Sequence, residues 1–301
     1  MLRPFELHRP ETLTDAATLM AQYGSDAAPY AGGTELLLLM KAGIARLPHL
    51  VDVKRLPGMA TIEMRDGALT IGAAATHRAV ERSPLVRARF PLVAGVAAHV
   101  ANVRVRNVGT VGGNLAFADP HSDLATLFLT FDARLELVSS AGTRELPLDQ
   151  FVLGPYETAR QPEELLASVR LTPWPARTSG CYVKFGVHER PSLGIAVALT
   201  LGADERVIEA RLCVGCVSPR PHRIREAELL LTGQPLAAIE AVADEAGALA
   251  GRAVDPISDL HGSAEYKRHL VSVFMRRALD VAVARAHGRE PQRGYAHAVV
   301  V

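Results

Sequence analysis

The sequence predicts an α+β protein of more than one domain. Three observations carry this. Helix-period and alternating segments are interspersed through the first half of the chain, and two prolines, Pro173 and Pro175, bracket the only tryptophan, Trp174. Beyond that bracket, three strand-like runs are followed by a series of helices, the segregation that marks an α+β arrangement. At 301 residues the chain is too long for one small core.

The elements follow in order. Thr12 or Thr14 caps a helix running from Asp15 to Tyr23, which Gly24 stops. Leu36 to Met40 is a continuous apolar run that fits a buried helix or a strand, and periodicity alone does not decide between them. Leu50 to Val53 reads as a strand. Thr61 to Ile71 is a hairpin with Asp66-Gly67 at its turn. Ser83-Pro84 opens a helix through Val86, and a second runs from Pro91 to Ala101. Leu124 to Phe131 is apolar and helical, and Arg134 to Val138 alternates as a half-buried strand that turns at Gly142-Thr143. Past Trp174, Cys181 to Phe185, Gly194 to Leu201 and Val207 to Val217 form an antiparallel sheet. Helices then cover Arg223 to Leu231, Leu236 to Ala250 and Ser263 to Ala286, the last with Leu270, Phe274, Leu279 and Val283 at helical spacing. Gly288 to Val301 shows no core-forming pattern before its last residues.

Composition excludes several classes. A formal net charge of +1 gives no broad field for nucleic acid or an anionic membrane, and Arg268, Arg276 and Arg277 read as a solvated helix face. No apolar stretch approaches the roughly 20 residues that span a bilayer. Cys181, Cys213 and Cys216 are too few for a disulfide framework and point to a reducing compartment. The N-terminus lacks a signal-peptide core. A cytoplasmic protein is expected.

Two glycine-rich stretches carry the functional information: Ala31-Gly32-Gly33-Thr34-Glu35-Leu36 and Thr110-Val111-Gly112-Gly113-Asn114. A Gly-Gly pair permits positive φ and removes Cβ, so that consecutive N–H groups converge on an anion. One such pair reads first as a structural turn. Two of them, with Thr34, Thr110 and Asn114 beside them, point to a ligand with two phosphates or a long polar spine. Neither matches the dinucleotide Gly-x-Gly-x-x-Gly or the phosphate-binding Gly-x-x-x-x-Gly-Lys motif. In the following Ala118-Asp119-Pro120-His121-Ser122-Asp123, Asp119 reads as a helix cap and Asp123 as an acceptor for ligand hydroxyls. Cys213 and Cys216 are spaced as C-x-x-C but lie in a strand-like run, where core packing is the simpler reading. The histidines show no metal-ligand spacing on a helix, and no metal ligands are assigned. No nucleophile elbow or acid–base dyad is apparent, which assigns the chemistry to a bound cofactor.

These residues resemble the FAD-binding medium subunits of molybdenum hydroxylases, the family of xanthine dehydrogenase and carbon monoxide dehydrogenase. Ala31 to Leu36 with Met40 to Gly43 is similar to the first flavin motif, and Thr110 to Ala116 with Ala118 to Leu124 to the second. Phe5 to Pro10, Ile71 to Ala73 with Thr76-His77, Gly154 to Tyr156, Lys184-Phe185 and Tyr266 through Ala278 extend the likeness over nearly the whole chain. The resemblance implies a vanillyl-alcohol-oxidase-like (PCMH-type) FAD-binding domain over 1–175, with subdomains at about 1–55 and 56–175. A C-terminal domain over 176–288 and a tail over 289–301 follow. It implies that FAD lies between the domains. Ala31, Gly32, Gly33, Thr34, Glu35 and Leu36 would contact the pyrophosphate, and Thr110, Val111, Gly112, Gly113 and Asn114 the pyrophosphate and ribityl chain. Asp123 would bind cofactor hydroxyls, while Ala101, Arg160, Val169 and Lys184 match further cofactor positions, Val169 as an apolar contact to the ring and Lys184 as a basic one.

The same resemblance implies partners: a large molybdenum-cofactor subunit and a small subunit with two [2Fe–2S] clusters, assembled as a dimer of heterotrimers. Thr34-Glu35 stands where carbon monoxide dehydrogenases carry a histidine-serine variant, which points away from that substrate. Three unclustered cysteines cannot hold the [4Fe–4S] centre of 4-hydroxybenzoyl-CoA reductase. Histidine motifs for covalent flavin attachment are not apparent, so FAD is expected to be non-covalent. The expected function is electron transfer; the alternatives are a stand-alone flavin oxidase or reductase and a non-catalytic assembly subunit.

Overall fold

The computed structural model describes residues 2–186, 190–260, 262–290 and 295–301. The chain begins with β1 (Glu6–His8) and α1 (Leu13–Tyr23), whose first turn is closed by Thr12 accepting from the Asp15 amide at 3.1 Å. β2 (Ala27–Tyr30) leads to α2 (Leu36–Ala42) and β3 (His49–Asp52). The ambiguous apolar run is therefore helical. Gly43, at φ 76°, ends it in the left-handed C-cap that glycine adopts without strain. β4 (Ile62–Arg65) and β5 (Ala68–Gly72) form the expected hairpin, with Asp66 and Gly67 both at positive φ as a type I′ turn requires.

A run of short helices follows: α3 (His77–Arg82), α4 (Pro84–Arg89), α5 (Pro91–Ala98), α6 (Val103–Val108), α7 (Val111–Phe117) and α8 (Asp123–Phe128). Next come β6 (Arg134–Ser139), β7 (Gly142–Pro147), α9 (Leu148–Phe151), β8 (Val152–Gly154), β9 (Glu157–Thr158) and β10 (Leu165–Leu171). The last third holds β11 (Thr178–Phe185), β12 (Leu193–Leu201), β13 (Val207–Gly215), β14 (His222–Arg223), α10 (Arg225–Leu231), α11 (Ile239–Ala253), α12 (Ala264–Ala286) and β15 (Ala298–Val300).

The chain divides into two compact units. The first comprises residues 1–118 and 132–172; the second comprises 119–131 and 173–301. In the first unit, β1, β3 and β2 form a parallel sheet in that order, and β4-β5-β10-β6-β7 form an antiparallel one. The short connections of an antiparallel sheet suit the hairpin-rich sequence of this region.

In the second unit the sheet runs β14-β13-β12-β11-β15, all antiparallel. β12 is buried at every position, so it is covered on both faces. Leu193, Ile195, Val197, Leu199 and Leu201 join a core with Phe274, Met275 and Leu279 of α12. The alternate positions are small, Gly194, Ala196, Ala198 and Thr200, and leave room for α8 against β12 and β13. Trp174 stacks on Phe131 with ring centroids 4.5 Å apart and donates to the Thr130 carbonyl at 2.9 Å, tying 119–131 to its own unit. Arg277 lies over the Phe274 and Tyr295 rings rather than on a purely solvated face. Of the expected tail, residues 291–294 fall outside the described residues, while Ala298–Val300 add the edge strand β15. Among the described residues no helix is long and apolar enough to cross a membrane.

Candidate functional site

In the first unit, β2 delivers the first glycine motif. Tyr30 closes the strand, and its carbonyl accepts from the Val53 amide at 3.1 Å. Gly33 then turns at φ 68° with the Tyr30 ring against it, and Leu37 bonds back to the Gly33 carbonyl at 3.1 Å to start α2. Among the described residues, the backbone amides of Gly32, Gly33, Thr34 and Leu36 donate to no protein acceptor. All four residues are half-buried. A half-buried run of unpaired N–H groups is costly unless an acceptor meets it. Such a run has the form of a nest able to receive an anion.

The fold brings the second motif to the first. A Cβ on Gly32 would overlap the Val108 carbonyl oxygen and come within 2.8 Å of the Gly109 Cα, so only glycine lets the two backbones touch. Thr110 caps α7, accepting from the Gly113 amide at 3.0 Å. The Val111 amide donates to the Ala75 carbonyl at 2.9 Å and the Gly112 amide to the Ala73 carbonyl at 2.8 Å. A Cβ on Gly112 would overlap Ala73.

The two motifs use their amides differently. The second is not an amide nest, because its donors hold α7 to the strand end at Ala73. Gly113 is exposed and its missing Cβ faces only the Thr110 hydroxyl, so this motif presents a bare backbone surface. His77, which sequence reasoning used only as a landmark, supports it. Its amide donates to the Gly109 carbonyl at 3.0 Å, and burial, then the Arg106 charge, lowers its pKa to about 4.

Three further expected residues lie in this unit. Ala101 takes a left-handed conformation, φ 42°, and its carbonyl accepts from Arg106 at 2.9 Å. Arg160 donates through one nitrogen to the carbonyls of Gln161, Pro162 and Glu164, at 2.9, 3.2 and 2.7 Å. Next to it the Glu164 carboxylate is held below its usual range by Arg144 and the Gln161 amide. Val169 sits in β10 between β5 and β6 and is 1% exposed, so its side chain is covered by the protein itself.

In the second unit, Asp123 opens α8 and is buried. The cap is Ser122, not Asp119, which instead accepts from the His121 amide at 2.9 Å. Asp123 accepts from the Lys184 ammonium at 2.7 Å through one oxygen and from the Tyr182 hydroxyl at 2.9 Å through the other. The two expected residues meet as an ion pair with 10% and 4% of their side chains exposed. Tyr182 and Lys184 project from the same face of β11, two residues apart. Lys184 pairs in register with Gly194, and Gly194 with Gly215. A Cβ on Gly194 would overlap the Tyr182 hydroxyl, and one on Gly215 would overlap Thr126. Tyr182, Gly194 and Gly215 had no local signature in the sequence. The Tyr182 hydroxyl is pushed well above its ordinary pKa by burial and by Asp123, so it stays a donor. Cys213 lies in β13 and Cys216 just beyond it at φ 69°; both are buried free thiols, and burial raises both.

Comparison with known proteins places this geometry. Residues 3–174 match the family described as the FAD binding domain in molybdopterin dehydrogenase, and residues 189–282 match the CO dehydrogenase flavoprotein C-terminal domain. The chain is a member of this FAD-binding medium-subunit family of molybdenum hydroxylases. It is 33% identical over 285 residues to the carbon monoxide dehydrogenase medium chain of Hydrogenophaga pseudoflava, covering 93% of this chain and 98% of the relative. It is 32% identical over 279 residues to the nicotine 6-hydroxylase medium subunit of Paenarthrobacter nicotinovorans, covering 92% and 96%. A solved Cu,Mo-CO dehydrogenase chain superposes with a TM-score of 0.90 at 32% identity, over 95% of this chain and 99% of that one. The family's relatives are oxidoreductase subunits, and the α+β fold and the FAD of the first domain follow from the membership.

The residues present fit FAD. The open amides of Gly32, Gly33 and Thr34 suit an anionic diphosphate, and the bare face at Gly113 admits a chain lying close to the backbone. Both features lie in the same unit.

Proposed function

We propose that this chain is the electron-transfer subunit of a multi-subunit molybdenum hydroxylase. In this reading a large partner oxidises the organic substrate at molybdenum, and a small partner passes electrons from its [2Fe–2S] clusters to this chain. An external acceptor receives them, and the whole assembles as a dimer of heterotrimers. The observation that carries the reading is the half-buried run of open amides at Gly32, Gly33 and Thr34. Bound there, FAD supplies the ability to take electrons singly and release them as a pair.

The chain's own residues bind and orient. Ala31 to Leu36 hold the diphosphate, with Gly32 locked against Val108 and Gly109 so that the nest keeps its shape. Thr110 to Asn114, with Ala101 beside α6, form the wall along which the cofactor's polar chain runs. Arg160 rigidifies the 160–164 turn rather than offering all its donors outward. Lys184, fixed by Asp123 and flanked by Tyr182, offers a buried cation to the polar edge of the ring. Val169 contributes through the shape of β10. No residue here needs to move a proton. Relatives named for carbon monoxide and for nicotine match equally well, as expected if another chain selects the substrate.

The test compares Gly33→Ala with Gly43→Ala. Both glycines have positive φ, 68° and 76°, but a Cβ at Gly43 meets nothing within 4 Å. The two variants share the positive-φ strain, and at Gly33, which lies in the nest, the added Cβ also presses on the Tyr30 ring and Leu37 and so displaces the open amides. Gly33→Ala is expected to weaken FAD binding at least about tenfold relative to Gly43→Ala, a difference of roughly 1.4 kcal/mol. Equal affinity in the two, or a wild-type chain that takes up no FAD, refutes the loop assignment. Co-purification of molybdenum and iron–sulfur subunits is expected from the native source, and oxidation of an organic substrate by the isolated chain would refute the relay.

A further inference from the structure

The parallel pairing of β1 with β3 gathers three metal-ligating side chains that the sequence keeps far apart. Glu6 lies directly opposite His49, and His8 lies two residues along β1. A two-residue step returns to the same face of a strand, so Glu6, His8 and His49 all project from one side of the sheet. One donor atom from each lies within 4.8 Å of the others. His8 Nε2 and His49 Nδ1 are 3.0 Å apart, and a Glu6 oxygen is 3.7 Å from His49 Nδ1. Around a tetrahedral zinc ion with bonds of about 2.0–2.1 Å, neighbouring ligand atoms stand roughly 3.3–3.4 Å apart. Two of the separations bracket that edge and the third lies within 4.8 Å, so closing on an ion takes shifts of up to about 1.5 Å, within reach of a rotation of the exposed Glu6 side chain.

The rings are held for the purpose. Tyr23, the last residue of α1, stacks on His49 with centroids 3.8 Å apart and on His8 with centroids 5.0 Å apart. The imidazoles are mostly buried, with side-chain exposures of 11% and 22%, while Glu6 stands 65% exposed on the solvent side. That leaves an entry path and an open position for water.

We infer that Glu6, His8 and His49 form a divalent transition-metal site, suited to zinc or copper. Two imidazoles and one carboxylate select borderline ions over calcium or magnesium, which prefer oxygen donors. When the ion binds, the ring that donates between His8 Nε2 and His49 Nδ1 shifts its N–H to its other nitrogen, so that both facing nitrogens offer lone pairs as neutral imidazoles. The ion would fasten the N-terminal strand to β3, which also pairs with β2, the strand that delivers the first glycine motif. Spacing along single helices carries no signal for a ligand set assembled from two strands.

The experiment uses the tag-free full chain with its FAD, treated with chelator and dialysed. One equivalent of Cu²⁺ is expected to give an electron paramagnetic resonance spectrum with splitting from two nitrogens. Zn²⁺ is expected to bind with a stoichiometry of one and to raise Tm. His8→Asn and His49→Asn, checked for unchanged FAD content, are expected to lose at least about 100-fold in Zn²⁺ affinity, the upper range of even an outer-sphere loss. Glu6→Gln should weaken binding less. Unchanged affinity in both histidine variants, or a copper spectrum without two-nitrogen splitting, would show an adventitious ion only and overturn the site.

Discussion

Single residues set the working limits of the FAD domain, and His77 shows how. Its ring is 3% exposed, and Nδ1 is buried with no hydrogen-bond partner among the described residues. The folded protein keeps it neutral down to about pH 4, whereas the unfolded side chain takes a proton near 6.5. Between those values the unfolded state binds more protons, so stability falls as pH falls, by up to about 3 kcal/mol in total. His77→Phe removes the titration while keeping a ring. Its urea midpoint is expected to drop less than the wild type's between pH 7 and pH 4.5. Parallel pH dependences would show that burial of His77 is not the cause. The glycines teach a related lesson. That Gly32-Gly33 and Gly112-Gly113 matter was legible, because a doubled glycine followed by a polar residue is rare punctuation. Their division of labour was not. Gly32 and Gly112 permit close backbone approach, Gly33 permits a turn, and Gly113 alone is bare, distinctions that depend on Val108 and Ala73.

At the scale of elements, local chemistry was read well where it was sufficient. Of the two threonines offered as the first cap, Thr12 takes the role, the Asp66-Gly67 turn stands where φ preferences put it, and Ser263, the expected start of the last helix, caps α12. β15 was not legible, because a three-residue edge strand has no period of its own. It exists because β11 offers a free edge: Val183 pairs with Val300, and Tyr182 and Val301 exchange amide bonds at 3.0 and 2.9 Å. Arg285 reinforces it by donating to the carbonyls of Gly180 and Val301, each at 2.9 Å. Since β11 also carries Tyr182 and Lys184, deleting residues 298–301 is expected to lower Tm by about 3 °C or more, roughly 1 kcal/mol for a domain of this size. FAD retention should fall with it. An unchanged Tm would mean that the strand contributes no stability.

For the whole molecule, the apolar segment Leu124 to Phe131 was recognised as helical, yet nothing local says which core it joins. It belongs with residues 173–301, where Thr126 fills the space left by Gly215 and where Arg211 and Trp174 both donate to the Thr130 carbonyl, at 2.6 and 2.9 Å. Only long-range packing decides that. A fragment beginning at 173 therefore lacks part of its own interior. It is expected to bind a hydrophobic dye and to lose cooperative unfolding, and addition of a 119–131 peptide should restore order. A cooperatively folded 173–301 fragment would contradict this.

The same excursion bears on how the protein is made. The chain leaves its first unit after Ala118, where a left-handed residue ends α7, and returns at Asp132, also left-handed. As the nascent chain emerges, α8 is complete 65 residues before β12 begins, several seconds at roughly 5–20 residues per second. For that interval its apolar face has no sheet to lie on. Residues 132–172, which complete the first unit, reach the ribosome exit during the wait. The nucleotide-holding unit can thus close while its neighbour's first helix is still waiting, and the ribosome's pace becomes part of the folding programme.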